Sequence, residues 1–210
     1  MRMSWRLASR LSVLFLALLV VVVVAIVGAR GDATSTNATG TTPSGLQGTN
    51  LGGTPAPNFR LTDQFGKQIS LSQFRGEPVV LTFLYTHCTT VCPLTAEKLH
   101  TTVVALGSQA QHVAILAVSV DPKGDTPASV INFSNTHHML NYWHYLMGTE
   151  QQLAPVWSAY SMYASVASAN TINHTTALYV IDKQGKEQVF LSDTFAPSQL
   201  ETDLKILLKQ

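Results

Sequence analysis

The two cysteines of the chain stand four positions apart, in the stretch Tyr85-Thr86-His87-Cys88-Thr89-Thr90-Val91-Cys92-Pro93. On a helical turn that spacing puts both sulfurs on one face, with Cβ atoms about 5–6 Å apart. Two chemistries suit such a pair. It can close into a disulfide after modest backbone adjustment, since bridged cysteines need Cβ atoms about 3.5–4.5 Å apart. It can also grip one soft metal ion as two thiolates, with bonds of about 2.3 Å if zinc is the guide. A purely structural pair fits less well: buried structural cysteines are usually scattered, and a disulfide closing so short a loop adds little by constraining the unfolded chain.

The elements that must position these sulfurs are legible on either side. Residues 79–85 (Val-Val-Leu-Thr-Phe-Leu-Tyr) form an apolar, β-branched and aromatic run that reads as a buried strand. Pro93 lacks an N–H, and the first helical turn has no use for that donor. A helix is therefore predicted from about Thr90 through Leu94, Ala96, Leu99, Val103 and Leu106. The cysteines sit where strand hands over to helix, and a helix N-terminus lowers a thiol pKa and favours the reactive thiolate.

Around this centre the chain alternates. Residues 59–62, 63–66 and 67–70 read as strand, turn, strand, and residues 71–74 as a short helical turn. Residues 112–120 are a second apolar β run, stopped by Asp121-Pro122-Lys123-Gly124-Asp125-Thr126-Pro127. There Asp125 or Thr126 is expected to cap a helix over 128–135 with Pro127 in its first turn, so these acids are assigned to capping and not to catalysis. Residues 143–147 suggest a short strand, and a helix follows from Thr149 to about Tyr160. Residues 177–181 and 186–191 suggest a hairpin around Asp182-Lys183-Gln184-Gly185, and an amphipathic helix closes the chain from Ala196 through Leu208. Strands alternating with helices, then a hairpin and a last helix, predict an α/β fold with a mixed central sheet and flanking helices. The two-cysteine turn after the first long strand makes it thioredoxin-like, preceded by an N-terminal hairpin.

Composition divides the chain further. Residues 11–29 carry no charge, follow Arg2, Arg6 and Arg10, and nearly match a hydrocarbon core of about 30 Å at 1.5 Å per residue. They predict a transmembrane anchor behind a cytoplasmic basic segment, 1–10, with the soluble domain on the extracytoplasmic side. A cleaved signal peptide ending near Val27-Gly28-Ala29 is the alternative, against which the apolar region is longer than the usual 7–15 residues. Residues 30–54, nearly all Gly, Ser, Thr, Asn and Ala, read as a flexible linker. Residues 55–210 form the domain, where nine Lys and Arg against eleven Asp and Glu leave a net charge of −2 and no basic patch for nucleic acid.

Two thiolates leave a soft metal under-coordinated, so a third donor must come from elsewhere. Of the seven histidines, His100, His112, His137, His138 and His144 read as surface or satisfied polar residues. His87 adjoins Cys88, but sequence neighbours normally point different ways, so it reads as solvent-facing or as a support behind the ligands and not as the third donor. His174 lies in Thr171-Ile172-Asn173-His174-Thr175-Thr176, a loop feeding the strand 177–181. In thioredoxin-like folds this loop faces the cysteine turn and ordinarily carries a cis-proline, yet no proline stands between Pro155 and Pro197.

Residues 83–93, Ser119-Val120-Asp121-Pro122 with Asp125-Thr126-Pro127, and His174-Thr175 before Leu178-Tyr179-Val180-Ile181-Asp182 together resemble the Sco/SenC copper proteins. The resemblance covers about residues 55–208. It implies a membrane-anchored thioredoxin-like domain that binds one copper ion, as Cu(I) or Cu(II), through Cys88, Cys92 and His174. It also implies a chaperone role in building the copper centre of cytochrome c oxidase. The implied partners are the copper-bearing oxidase subunit, a copper donor, a thiol reductant of thioredoxin type, and the membrane through the N-terminal helix. Where the family often has Asp before the histidine, this chain has Asn173, which removes a negative charge beside the ligand.

A thiol–disulfide oxidoreductase is the alternative, with Cys88 attacking a target disulfide and Cys92 resolving it to keep copper-ligand cysteines reduced. The three-residue spacer and the missing cis-proline weigh against that as the main role. Peroxidases of the peroxiredoxin type place Thr three residues before the reactive Cys, where this chain has Tyr85. A redox-sensing role without transfer is compatible with the same pair.

Overall fold

The computed structural model describes residues 45–168, 171–174 and 176–210. The predicted basic segment 1–10, the transmembrane anchor 11–29 and residues 30–44 of the predicted linker lie outside the described residues. Among the described residues no helix is long and apolar enough to cross a membrane.

The strands are β1 (Thr49–Pro55), β2 (Arg60–Asp63), β3 (Gln68–Ser70), β4 (Val79–Leu84), β5 (Ala114–Ser119), β6 (His144–Met147), β7 (Ala164–Ser168), β8 (Thr171–His174), β9 (Ala177–Ile181) and β10 (Lys186–Ser192). The helices are α1 (Val91–Leu106), α2 (Pro127–Thr136), α3 (Glu150–Ala159) and α4 (Pro197–Leu208). Eight strands form one mixed sheet in the order β1-β10-β9-β4-β5-β6-β2-β3, and β7 and β8 form a sheet of their own.

The middle of the sheet explains the apolar runs. β4 and β5 are buried at every position and pair in parallel, from Val79 opposite Ala114 to Leu84 opposite Ser119. A strand covered on both faces is apolar nearly throughout, with Thr82 satisfied by donating its hydroxyl to the Ala177 carbonyl, so near-continuous runs, not alternating ones, mark the centre. β6 continues the parallel set beside β5, and β9 flanks β4 antiparallel. α1 buries Cys92, Ala96, Leu99, Val103 and Leu106, the positions three and four apart that the helical period demands. It packs against α4, whose Leu200, Leu204 and Leu207 are also buried. Each fully buried aliphatic side chain here contributes about 1.5–3 kcal/mol relative to exposure.

The structure corrects the linker reading over residues 49–54. They are not a tether but most of β1, which pairs antiparallel with β10 from Thr49 opposite Phe190 to Pro55 opposite Lys186. Just before it, Leu46 is buried and the Gln47 N–H donates to Asp203 Oδ1 at 2.6 Å. Gly48 allows the approach: it adopts φ +86°, and a Cβ there would stand 2.7 Å from the Phe190 carbonyl oxygen. This strand is held by backbone bonds to an open edge, so small polar residues serve it and no alternation of side chains announces it.

A second correction concerns residues 171–174. The predicted loop is strand β8, paired with β7 in a hairpin that sets Ala164 opposite His174.

Candidate metal centre

The cysteine turn begins where β4 ends. Cys88 is half-buried ahead of the helix N-cap Thr90, and Cys92, in the first turn of α1, has no exposed surface. Pro93 follows in that first turn, where an N–H would have no helical partner. The Cys92 N–H donates to Cys88 Sγ at 3.4 Å.

That geometry divides the two thiols. The Cys92 thiol hydrogen-bonds the Cys88 sulfur and, against the opposing effect of burial, pulls the Cys88 pKa down to about 4; the Cys92 and Thr90 N–H groups and the Tyr85 hydroxyl add to this. The same bond, with deep burial, pushes Cys92 far above the thiol range. At neutral pH the turn therefore holds one thiolate, on the more accessible sulfur, and one thiol.

The β7–β8 hairpin brings His174 to this pair. Cys92 Sγ lies 3.9 Å from His174 Nε2. An ion bonded to sulfur at about 2.3 Å and to nitrogen at about 2.0 Å, at tetrahedral to trigonal angles, holds those atoms about 3.5–3.7 Å apart. The Cys92–His174 separation is thus within a few tenths of an ångström of what one soft ion bonded to both atoms would set. Tyr85 joins the two parts: its ring meets the His174 ring edge-on with centroids 5.7 Å apart, and its hydroxyl oxygen accepts from the Ile172 N–H at 3.4 Å.

The turn is braced from behind by Asp125. Thr126, not Asp125, caps α2, its Oγ1 accepting from the Ser129 N–H at 3.1 Å, so assigning Asp125 to capping is corrected. The buried Asp125 carboxylate accepts four hydrogen bonds. They come from the Thr86 N–H at 2.8 Å, the Thr86 hydroxyl at 2.7 Å, the Ser119 hydroxyl at 2.6 Å and the Tyr145 hydroxyl at 3.1 Å. Burial raises its pKa, and these four bonds partly offset the rise. Two of its bonds fix Thr86, two residues before Cys88.

Among the described residues, His87, Asp121 and Asp125 are the one set of three His, Cys, Asp or Glu donors whose ligand atoms all fall within 4.8 Å of one another. Asp125, however, has its lone pairs committed to the four bonds above, and Asp121 Oδ1 accepts from the Gly124 N–H at 2.9 Å. This cluster shapes the 121–125 turn. His87 is exposed, as expected, and 3.9 Å from Asp121 Oδ2. Among the other histidines, His144 Nδ1 pairs with Asp63 Oδ2 at 3.0 Å.

Comparison with known proteins places this fold. The family model for SCO1/SenC matches residues 48–209. The chain belongs to the SCO1/SenC family. A mitochondrial SCO2 homologue from Bos taurus is 31% identical over 137 residues, covering 61% of this chain and 50% of the relative. A SCO1 homologue from Bacillus subtilis is 26% identical over 132 residues, covering 61% and 68%. This chain thus spans about half the length of the bovine relative. Among solved structures, Bradyrhizobium japonicum ScoI with copper bound superposes with a TM-score of 0.67 at 31% identity, covering 73% of this chain and 99% of ScoI. Yeast Sco1 with copper bound, at 19% identity and a TM-score of 0.65 over 75% of this chain and 90% of that one, shares the thioredoxin-like fold.

Within this SCO1/SenC fold, two participants escape a reading of the sequence. Tyr85 reads as the last apolar residue of a strand, and Asp125 reads as a helix cap. The only sequence signal for Asp125 is that Thr126 can cap alone, which leaves the acid beside it without a task.

Proposed function

We propose that this chain is a copper chaperone that binds one copper ion through Cys88, Cys92 and His174 and delivers it during assembly of the cytochrome c oxidase copper centre. The observation that carries the reading is the Cys92 thiol, which neighbours Cys88 in the same turn, standing with its Sγ 3.9 Å from His174 Nε2. The copper-bound ScoI relative supports the choice of metal. Copper is cargo here. The accessible Cys88 thiolate captures Cu(I), Cys92 gives up its proton as its sulfur binds, and the neutral imidazole of His174 completes three-coordination and accommodates Cu(II). The apolar run 11–29 behind three arginines supports a membrane anchor with the domain on the extracytoplasmic side.

The test is a pair of titrations against competing chelators, Cu(I) with the reduced full chain under anaerobic conditions and Cu(II) separately, for wild type and His174→Ala. One tight equivalent is expected, weakened by about tenfold or more in the variant, a loss that even outer partners of a ligand can cause. Unchanged affinity for both copper states in His174→Ala overturns the assignment.

A second reading, thiol–disulfide exchange, is favoured by the opposed pKa shifts of the two cysteines. Cys88 thiolate attacks a partner disulfide and releases one partner thiolate. Cys92 then loses its proton, attacks the mixed disulfide and releases the second, so two electrons pass to the partner and Cys88–Cys92 closes as a disulfide. A thioredoxin-type reductant must reopen it. Trapping of a mixed disulfide by Cys92→Ser, abolished by Cys88→Ser, is the expected result; trapping that survives Cys88→Ser overturns the assigned order.

A further inference from the structure

A groove of about 280 Å³ runs between the cysteine turn and α2, with Cys88 in its lining. On the helix side it is bordered from Ser129 to His137. That stretch is about 12 Å long at 1.5 Å per residue, the length of about four residues of extended chain. Cys92 has no exposed surface and no part in the lining. This asymmetry matters because exchange at a sulfur atom brings the incoming sulfur in opposite the outgoing one. With Cys92 behind Cys88, its N–H on Sγ at 3.4 Å, a partner's sulfur must arrive from the solvent side, where the groove lies.

The chemistry of the lining narrows what the groove suits. It contains no Asp, Glu, Lys or Arg, and Pro93 and Phe133 give it apolar contact. Burial, helped by the neighbouring His138, lowers the pKa of His137 against the pull of Glu97 on α1, so this imidazole adds no charge at neutral pH. Most of the polar side chains are already engaged. The hydroxyls of Thr86, Ser129 and Thr136 donate to Asp125, the Gly124 carbonyl and the Asn132 carbonyl. His87 faces Asp121, and His137 faces Glu97. The exposed Asn132 amide is the exception, with no partner among the described residues. A carboxamide offers a donor and an acceptor side by side, which matches the N–H and C=O of an extended backbone.

We propose that this groove receives an extended, uncharged segment of the partner polypeptide and leads that segment's cysteine to Cys88, the Asn132 amide bonding its backbone. The proposal rests on the reading that Cys88 meets a partner's sulfur, and adds where the partner lies and what kind of chain it presents. Asn132 is thus a positioning residue. It touches the partner's backbone and leaves the reactivity of Cys88 alone.

The test mixes the reduced full chain, under anaerobic conditions, with two probes that carry the same mixed disulfide to 2-nitro-5-thiobenzoate. One is N-acetylcysteine methylamide; the other is a capped, uncharged heptapeptide with cysteine at its centre and Ala, Ser and Val elsewhere. The Cys88 thiolate attacks the probe's cysteine sulfur, the probe's S–S bond breaks, and thiobenzoate leaves as the thiolate with the electron pair. Its absorbance reads this step alone, because the later attack by Cys92 releases the probe's cysteine. The heptapeptide is expected to react about tenfold faster than the minimal probe, the worth of one or two hydrogen bonds. Asn132→Ala should remove most of that advantage, and Thr136→Trp, which fills the groove from an exposed position, all of it. Both variants should keep the minimal probe's rate within about twofold, the range of a surface change that leaves the cysteine turn intact. Equal rates for the two probes in wild type, or an advantage that survives both substitutions, overturns the proposal and leaves the reading of Cys88 standing. A minimal probe that releases no thiobenzoate from wild type overturns that reading and the proposal with it.

Discussion

Asp125→Asn probes the brace behind the cysteine turn. The buried carboxylate accepts two hydrogen bonds from Thr86, one from Ser119 and one from Tyr145. Asparagine keeps one oxygen, which stays with Thr86 because the Thr86 N–H has no way to reverse its direction. Its NH2 then faces Ser119 and Tyr145, whose hydroxyls must turn and accept. A bond to a charged acceptor is about twice as strong as a neutral one, so the exchange loses roughly 1 kcal/mol at each of four contacts. Relief from burying a charge returns part of this, leaving a net destabilisation of about 2 kcal/mol. For a domain of this size that is a fall of about 4–8 °C in Tm.

The sign of the pH dependence follows from the raised pKa of Asp125. A carboxyl whose pKa is higher folded than unfolded stabilises most when protonated, and that contribution is lost as pH climbs from the unfolded pKa through the folded one. The gap between wild type and Asp125→Asn is therefore widest in acid and narrows toward neutral pH. Urea unfolding at several pH values measures it. A double-mutant cycle with Thr86→Val should give a coupling energy of about 1–3 kcal/mol. Additivity within about 0.5 kcal/mol would refute the claim that Asp125 holds the turn through Thr86.

Two further outcomes follow from buried groups. In the reduced protein, iodoacetamide should label Cys88 at a rate that stays flat from pH 8 to about 5 and falls toward its pKa of about 4, while Cys92 reacts only on unfolding. Tyr85→Phe, which removes one donor to Cys88, should shift that profile upward; equal labelling of both thiols with a midpoint near 8.5 would contradict the division. Asp203 is fully buried, with Oδ1 on the Gln47 N–H and Oδ2 unpartnered among the described residues, and burial raises its pKa to about 6. Wild type should therefore lose on the order of 2 kcal/mol between about pH 4 and 6 relative to Asp203→Asn, read from Tm across that range. Parallel curves would show that the carboxyl titrates normally.

What the sequence reveals depends on where each element draws its stability. β4, β5, β9 and α1 are held by apolar burial, and burial writes itself into residue type and period, so residues 79–85, 112–120, 177–181 and the helix from Thr90 are legible within a residue or two. Cys88, Cys92 and His174 are legible as candidates because their types are rare and their chemistry narrow. β1 draws on backbone pairing with β10, which leaves no apolar trace among Gly, Thr and Asn. The β7–β8 hairpin is hidden for a similar reason, being small and, among the described residues, joined to no other strand. Asp125 is hidden because an acid before Thr-Pro at a helix start has an ordinary explanation, and only the fold brings Thr86 and Tyr145 to it.

That hairpin has a thermodynamic consequence. His174 belongs to a two-stranded ladder bonded to neither edge of the main sheet, whereas Cys88 and Cys92 belong to the junction of its central strand with α1. Two-stranded hairpins are marginal on their own, so the free energy of opening this one is set by what docks it, including Tyr85 and the packing of Ile172 on the core. Any ion that binds His174 together with the cysteines raises that opening energy by its own binding energy, while the eight-stranded sheet is untouched. Amide exchange in residues 164–168 and 171–174 should thus report locally on whether an ion is bound at His174.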